Sequence, residues 1–282
     1  MISNTSIGLF ALVGAASTVM TTVMTALPVQ AASYYLDFDT DPLSNPITSS
    51  TVGDPYGISD QWSDWGVTLG ATNKAGSRAE PLLLFNSNPD SYTGGDRDLR
   101  SGDPWGTAVQ NNVLIIQEDG FRRNGTVKNA HDPDDEANGG IISFDFQAPV
   151  TLGSIQLLDV DDFGARGQYV TFTAWDADGN QVATTQFDHV ALTAPDRVTN
   201  LSSQGITGDN SLYDFALGYS GVARLEVLYP GSGAIAGLQW SDDSDDSTEP
   251  TSVPEPRNTV SLLGLVALGA VEVTRRRSSR EE

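Results

Sequence analysis

Between residues 34 and 240 the chain never sustains a helical apolar period over ten residues; it repeats short strand-length runs instead. The runs are 34–38 (YYLDF), 82–85 (LLLF), 113–117 (VLIIQ), 141–146 (IISFDF), 154–160 (SIQLLDV), 169–175 (YVTFTAW), 181–187 (QVATTQF), 222–229 (VARLEVLY) and 234–240 (AIAGLQW). Several alternate. Ile142, Phe144 and Phe146 share a face opposite Ser143 and Asp145, and Ala223, Leu225, Val227 and Tyr229 oppose Arg224 and Glu226. One dry face and one wet face is the signature of antiparallel sheet. The stretch Trp175–Val182 (WDADGNQV) joins two runs through Asp-Gly-Asn, a hairpin turn. Short strands separated by Gly, Asp and Asn turns predict an all-β antiparallel β-sandwich of jelly-roll type over residues 33–240. Two longer stretches, 40–80 and 86–112, carry no such runs and are expected to lie over it as functional loops.

Charge narrows the partners. The 282 residues hold 37 acidic and 15 basic side chains, a formal net of −22. A surface of that sign excludes nucleic acid. The chain has no cysteine, which excludes disulfides, thiolate metal sites and a cysteine nucleophile, and its only histidines are His131 and His189. A multi-histidine zinc site is therefore impossible, and little remains from which to build a Ser-His-Asp triad.

Both ends read as addresses. Residues 1–32 carry no charged side chain, and an apolar run leads to Val29-Gln30-Ala31, a small-x-small cleavage pattern, so residues 1–32 are expected to be a signal peptide. Residues 241–252 (SDDSDDSTEPTS) form a self-repelling acidic linker. Then come Val253-Pro254-Glu255-Pro256, an apolar run from Val260 to Val271, Glu272, and Arg275-Arg276-Arg277. The prolines keep the first four residues extended. As a helix the apolar run spans roughly 18 Å, short of a hydrocarbon core of about 30 Å, yet an arginine cluster behind an apolar run arrests a chain in a membrane. In residues 33–256, 34 acidic and 10 basic residues remain, a net of −24.

The segment 253–282 resembles the PEP-CTERM sorting signal, with the motif, apolar stretch and arginines in the required order. The resemblance implies a bacterial exported protein, transient membrane insertion through a C-terminal helix, processing by an exosortase, and residence at the cell surface or in the extracellular matrix. The short run and Glu272 depart from the pattern. The stretch from Asn112 to Val182 is similar to the β domain of many PEP-CTERM proteins and, more loosely, to galactose-binding-like and carbohydrate-binding jelly rolls. No enzymatic role comes with that likeness.

Carboxylates cluster in HDPDDEANGG, where Asp132, Asp134, Asp135 and Glu136 precede Gly139-Gly140, and again at Asp159, Asp161 and Asp162. Hard oxygen donors on loops with glycine turns suit calcium. If runs 141–146 and 154–160 are neighbouring antiparallel strands, Asp134, Asp135 or Glu136 comes close to Asp159 and Asp161; a solvated acidic loop is the alternative. Asp176–Asn180 (DADGN) has its glycine at the wrong position for an EF-hand and reads as a turn, while Asp37, Asp39 and Asp41 are a further ligand source. Trp62, Trp65, Tyr56, Tyr92 and Trp105 lie in the run-free first half, and exposed aromatics beside polar groups stack on sugars. Gly94–Gly106 (GGDRDLRSGDPWG) is the best such stretch, with Trp105, Asp96 and Arg97 as the expected polysaccharide contacts. No carboxylate pair stands out for glycoside hydrolysis. The expectation is a non-catalytic, exported polysaccharide-binding or matrix-organising protein with a calcium-supported sandwich; the alternatives are a ligand-free matrix protein and a secreted glycan hydrolase.

Overall fold

The computed structural model describes residues 31–47, 57–92, 94, 96–160, 169–187, 197–202 and 208–242. The chain divides into two compact units, Met1–Ser244 and Asp245–Glu282, and the described residues all belong to the first. All of the expected signal peptide but Ala31 and Ala32, most of the acidic linker and the 253–282 segment, like Tyr56, Asp161, Asp162 and His189, lie outside the described residues.

Among the described residues eleven strands follow in order: β1 (Ser33–Leu36), β2 (Val67–Asn73), β3 (Ala79–Glu80), β4 (Leu82–Asn86), β5 (Asn112–Ile116), β6 (Gly140–Leu158), β7 (Val170–Trp175), β8 (Gln181–Phe187), β9 (Val198–Asn200), β10 (Leu212–Leu228) and β11 (Ala234–Asp242). All pair antiparallel in one large sheet, and the helical content of the described residues is two three-residue 3-10 turns, Ser63–Trp65 and Asp103–Trp105.

The organising element is a ribbon of two long strands. Runs 141–146 and 154–160, expected as neighbours, are instead the two halves of the 19-residue β6. β6 pairs along its length with β10, from Leu212↔Leu158 to Leu228↔Ile141. Three register shifts break β10 between Ala216 and Arg224, with Gly218 and Gly221 in the left-handed region at φ 64° and 72°. Bulges of this kind bend and twist a strand. The ribbon accordingly folds back on itself: its N-terminal β6 half carries β2 on one side and its C-terminal β10 half carries β7 and β8, whereas the other end carries β11, β5, β4, β1 and β9. The bulges also switch which residues point inward. Val222 is fully buried and Ala223, expected inside, is not.

The two halves pack face to face. Phe172 and Phe187 from one lie 5.3 Å and 5.0 Å from the ring of Phe215 on the other, and Phe146 meets Trp240 at 5.6 Å. Ile142, Phe144, Leu225 and Val227 join Leu36, Ile155, Leu157 and Leu238 in the same core cluster. Such tilted ring pairs add about 0.5–1.5 kcal/mol each beyond their buried area.

The unbroken apolar runs 82–85 and 113–116 have a different cause. Leu82, Leu84, Leu114 and Ile116 belong to the central core, while Leu83, Phe85, Val113 and Ile115 face outward into a second cluster with Leu99 and Val127. The segments around Leu99 and Val127 cover that outer face, so β4 and β5 are dry on both sides and have no polar row to show. The segment 40–80, expected as irregular, contains β2 and β3; β2 pairs with β6 from Val67↔Phe146 to Asn73↔Gly140.

Candidate metal centre

Folding back brings the two ends of the ribbon together at the short connection Tyr229–Gly233 between β10 and β11. There Gly233, at φ +143°, lies so close to the Tyr229 ring and the Asp159 carbonyl that any Cβ would collide with both. Asp135 stands just before β6 and Asp159 just after it. Residues 134–136 run beside the extension of β5: Gln117 and Asp135 form a bridge, Glu118 N donates to Asp134 O at 3.0 Å, and Glu136 N donates to Ile116 O at 2.9 Å. The amide oxygen of the buried Gln117 accepts from Asp134 N at 2.9 Å.

Asp135 is 6% exposed. Its Oδ2 accepts from Ser232 Oγ at 2.6 Å and from the Gly233 backbone N–H. Ser232 Oγ also lies 3.2 Å from Asp159 Oδ2, so its single proton is shared between the two carboxylates. Asp159, 2% exposed, holds a left-handed backbone at φ 60° and donates its N–H to Ser211 O. Asp135 and Asp159 thus meet at Ser232 Oγ, through the fold-back of one strand and not through pairing of two, while Asp159, expected as a ligand, is not among the carboxylates that converge on Asp135.

The third acid comes from elsewhere. Carboxylate oxygens of Asp96, Asp134 and Asp135 lie within 4.8 Å of one another. Asp96 is delivered by the loop after β4, where Gly94 (φ +74°) passes so near Pro133 that any Cβ would collide with its carbonyl oxygen. The electrostatics follow. Burial, with the Asp96 carboxyl next, pushes Asp135 up to about 8 against the lowering effect of its Ser232 and Gly233 donors. Burial and then the charges of Asp96, Glu118, Asp132 and Asp119 raise Asp134. Burial, with Asp135 and Asp159 adding to it, raises the Tyr229 phenol well above its ordinary value. Among the described residues no lysine or arginine is ion-paired with Asp96, Asp134 or Asp135. Three converging oxygens, one of them buried and short of positive charge, can hold a hard divalent cation.

Glu136, one position beyond Asp135, turns away: its carboxylate accepts from Asn138 N and Nδ2, and it lines a shallow polar groove with Lys74, Arg78 and Glu80. Asp96, expected beside a glycan, belongs to the acid cluster. Arg97 is exposed, and its carbonyl accepts from Asn210 Nδ2 at 2.7 Å, which ties the loop to the start of β10. Trp105 is partly buried and ends the second 3-10 turn, with Gly106 left-handed behind it. Trp62 is a core residue, fully buried, edge-on to Phe38 and donating Nε1–H to Thr40 O at 2.9 Å. The Asp176 carboxylate is occupied by Asp178 N, Asn180 N and Asn180 Nδ2, a turn as expected. Asp39 bonds Asn111 and Asn112, and Asp41 caps Leu43 and Asn45, so these two acids build loops.

Sequence spacing does not place Asp96 in this cluster. The one local signal beside it is Gly94, a residue type needed where two backbones approach closely. Family models, curated proteins and solved structures were each compared with the chain, and none matches it.

Proposed function

We propose that the chain is a non-catalytic, exported protein of the bacterial cell surface or extracellular matrix, a calcium-supported sandwich of jelly-roll type that holds polysaccharide. The observation that carries the calcium part is the buried Asp135 carboxylate, grouped with Asp96 and Asp134 where the ribbon ends meet. A cation there joins three segments remote in sequence: the loop after β4, the residues leading into β6, and the connection into β11 that donates to Asp135. The same cation fixes the loop that carries Arg97 and leads to Trp105, and the similarity of residues 112–182 to carbohydrate-binding jelly rolls supports the polysaccharide part. The resemblance of residues 253–282 to the PEP-CTERM signal supports export and exosortase processing.

Thermal melts of the purified protein with calcium and with chelator test this reading. Calcium at 100 times its Kd stabilises by about 2.7 kcal/mol, and at about 2–4 °C per kcal/mol the melting temperature rises by roughly 5–10 °C. Asp96→Asn combined with Asp135→Asn removes the difference. Superimposable wild-type curves with and without chelator rule calcium out.

A further inference from the structure

We infer that a neutral polysaccharide binds on the open face of the half-sheet β2–β6–β10–β7–β8, centred on Trp175. The inference rests on the polysaccharide reading above but places the contact away from the Trp105 loop.

The register sets side chains in rows across this face. Thr68 pairs with Asp145, Asp145 with Arg224, Arg224 with Trp175, and Trp175 with Gln181. At about 4.8 Å between strands that row is roughly 19 Å long. The next row runs Gly70, Ser143, Glu226, Thr173 and Thr184, in which Ser143 is buried with its hydroxyl donating to Gly70 O. Alternation turns Leu225, Phe172 and Ala174 into the core and leaves these rows on the outer face. Trp175 belongs to neither core cluster and is only partly buried, so packing does not explain an indole here.

Polar bonds hold it instead. Trp175 Nε1–H donates to Glu226 Oε2 at 3.3 Å, Arg224 Nε donates to Glu226 Oε1 at 3.1 Å, and Arg224 Nη1 donates to Asp145 Oδ1 at 3.1 Å. The charged side chains are 28–45% exposed. Exposed ion pairs contribute little to stability, whereas a chain of them fixes ring and guanidinium in one orientation before any ligand arrives. A pre-set indole next to fixed donors and acceptors is the chemistry that stacks a sugar ring and bonds its hydroxyls. Charge chooses the class of sugar. One arginine between two carboxylates is net negative, and so is the domain around it, so an acidic polysaccharide is repelled and a neutral one is not.

Affinity electrophoresis of the full chain through gels containing dextran, xylan, galactomannan or mixed-linkage β-glucan, with alginate as the acidic comparison, tests the site. The expected result is retardation by at least one neutral polymer, weakened about tenfold or more by Trp175→Ala, partly kept by Trp175→Phe, and unchanged by Trp105→Ala. Circular dichroism of Trp175→Ala stays at wild type, because the ring lies outside both core clusters. Retardation by a neutral polymer that Trp175→Ala leaves intact, or that Trp105→Ala abolishes, overturns this site and leaves the polysaccharide reading standing. Retardation by alginate alone overturns the neutral class. No retardation by any polymer overturns the reading and the site together.

Discussion

Asp135 meets two opposed demands. Its position makes it the acceptor that fixes the Ser232-Gly233 connection, while burial and the Asp96 carboxyl disfavour its charge. In calcium-free protein this sets a direction with pH. The folded value of about 8 lies above the ordinary 3.8, so the proton is held more tightly in the folded state. The associated stability is fully present below about pH 4 and is lost as pH rises toward about 8, a change on the order of a few kcal/mol. In chelator, the melting temperature is expected to fall between about pH 5 and pH 8, and Asp135→Asn to show a shallower fall; an equal slope in the variant rejects the assignment. On the proposed calcium reading, affinity would run the other way and rise with pH, because the cation would displace that proton. At this scale the sequence is half legible. The density of acids around Asp134 marks the place, but Asp96 is far off in sequence and arrives through the contact of Gly94 with Pro133, which no spacing reveals.

At the scale of elements, the ribbon of β6 and β10 does what two separate hairpins would otherwise do. Alternation reveals its inward residues Ile142, Phe144, Phe146, Leu225 and Val227. The bend is not visible, because the bulges near Gly218 and Gly221 change the side-chain parity of β10, while the exposed Gln147, Ala148 and Pro149 between its two apolar halves make β6 read as two strands. β2 is hidden for a related reason: Gly70, Thr68 and Thr72 blur its apolar pattern, and it is held by pairing to β6. Phe215 is where the bent halves grip each other, touching Phe172, Phe187 and Tyr213. Phe215→Ala is expected to cost about 3–5 kcal/mol in chemical denaturation, the range for an aromatic removed from a core. A loss under about 1 kcal/mol would mean that the halves do not pack as described.

For the whole molecule, net charge and end segments matter more than any contact. The −24 of residues 33–256 opposes the approach of polyanions. The reading of residues 253–282 as a sorting signal makes its own prediction: replacing Pro254-Glu255-Pro256 with alanines leaves the tail attached, seen as a higher intact mass of the exported protein than wild type. Equal masses for both would show that these three residues do not direct processing.

The pairing of β1 with β11, Ser33↔Ser241 to Leu36↔Leu238, joins the first strand of the domain to its last. β11 also sits inside the sheet, between β5 and β6. During synthesis the half that holds β11, β5, β4, β1 and β9 cannot close until residue 242 has emerged, since the partner of β1 and the strand between β5 and β6 do not yet exist. A chain of such high contact order folds slowly and only when complete. Until then the sheet lacks its closing strand, and an unfinished chain of this kind is what passage through a narrow pore, as the proposed export requires, would call for.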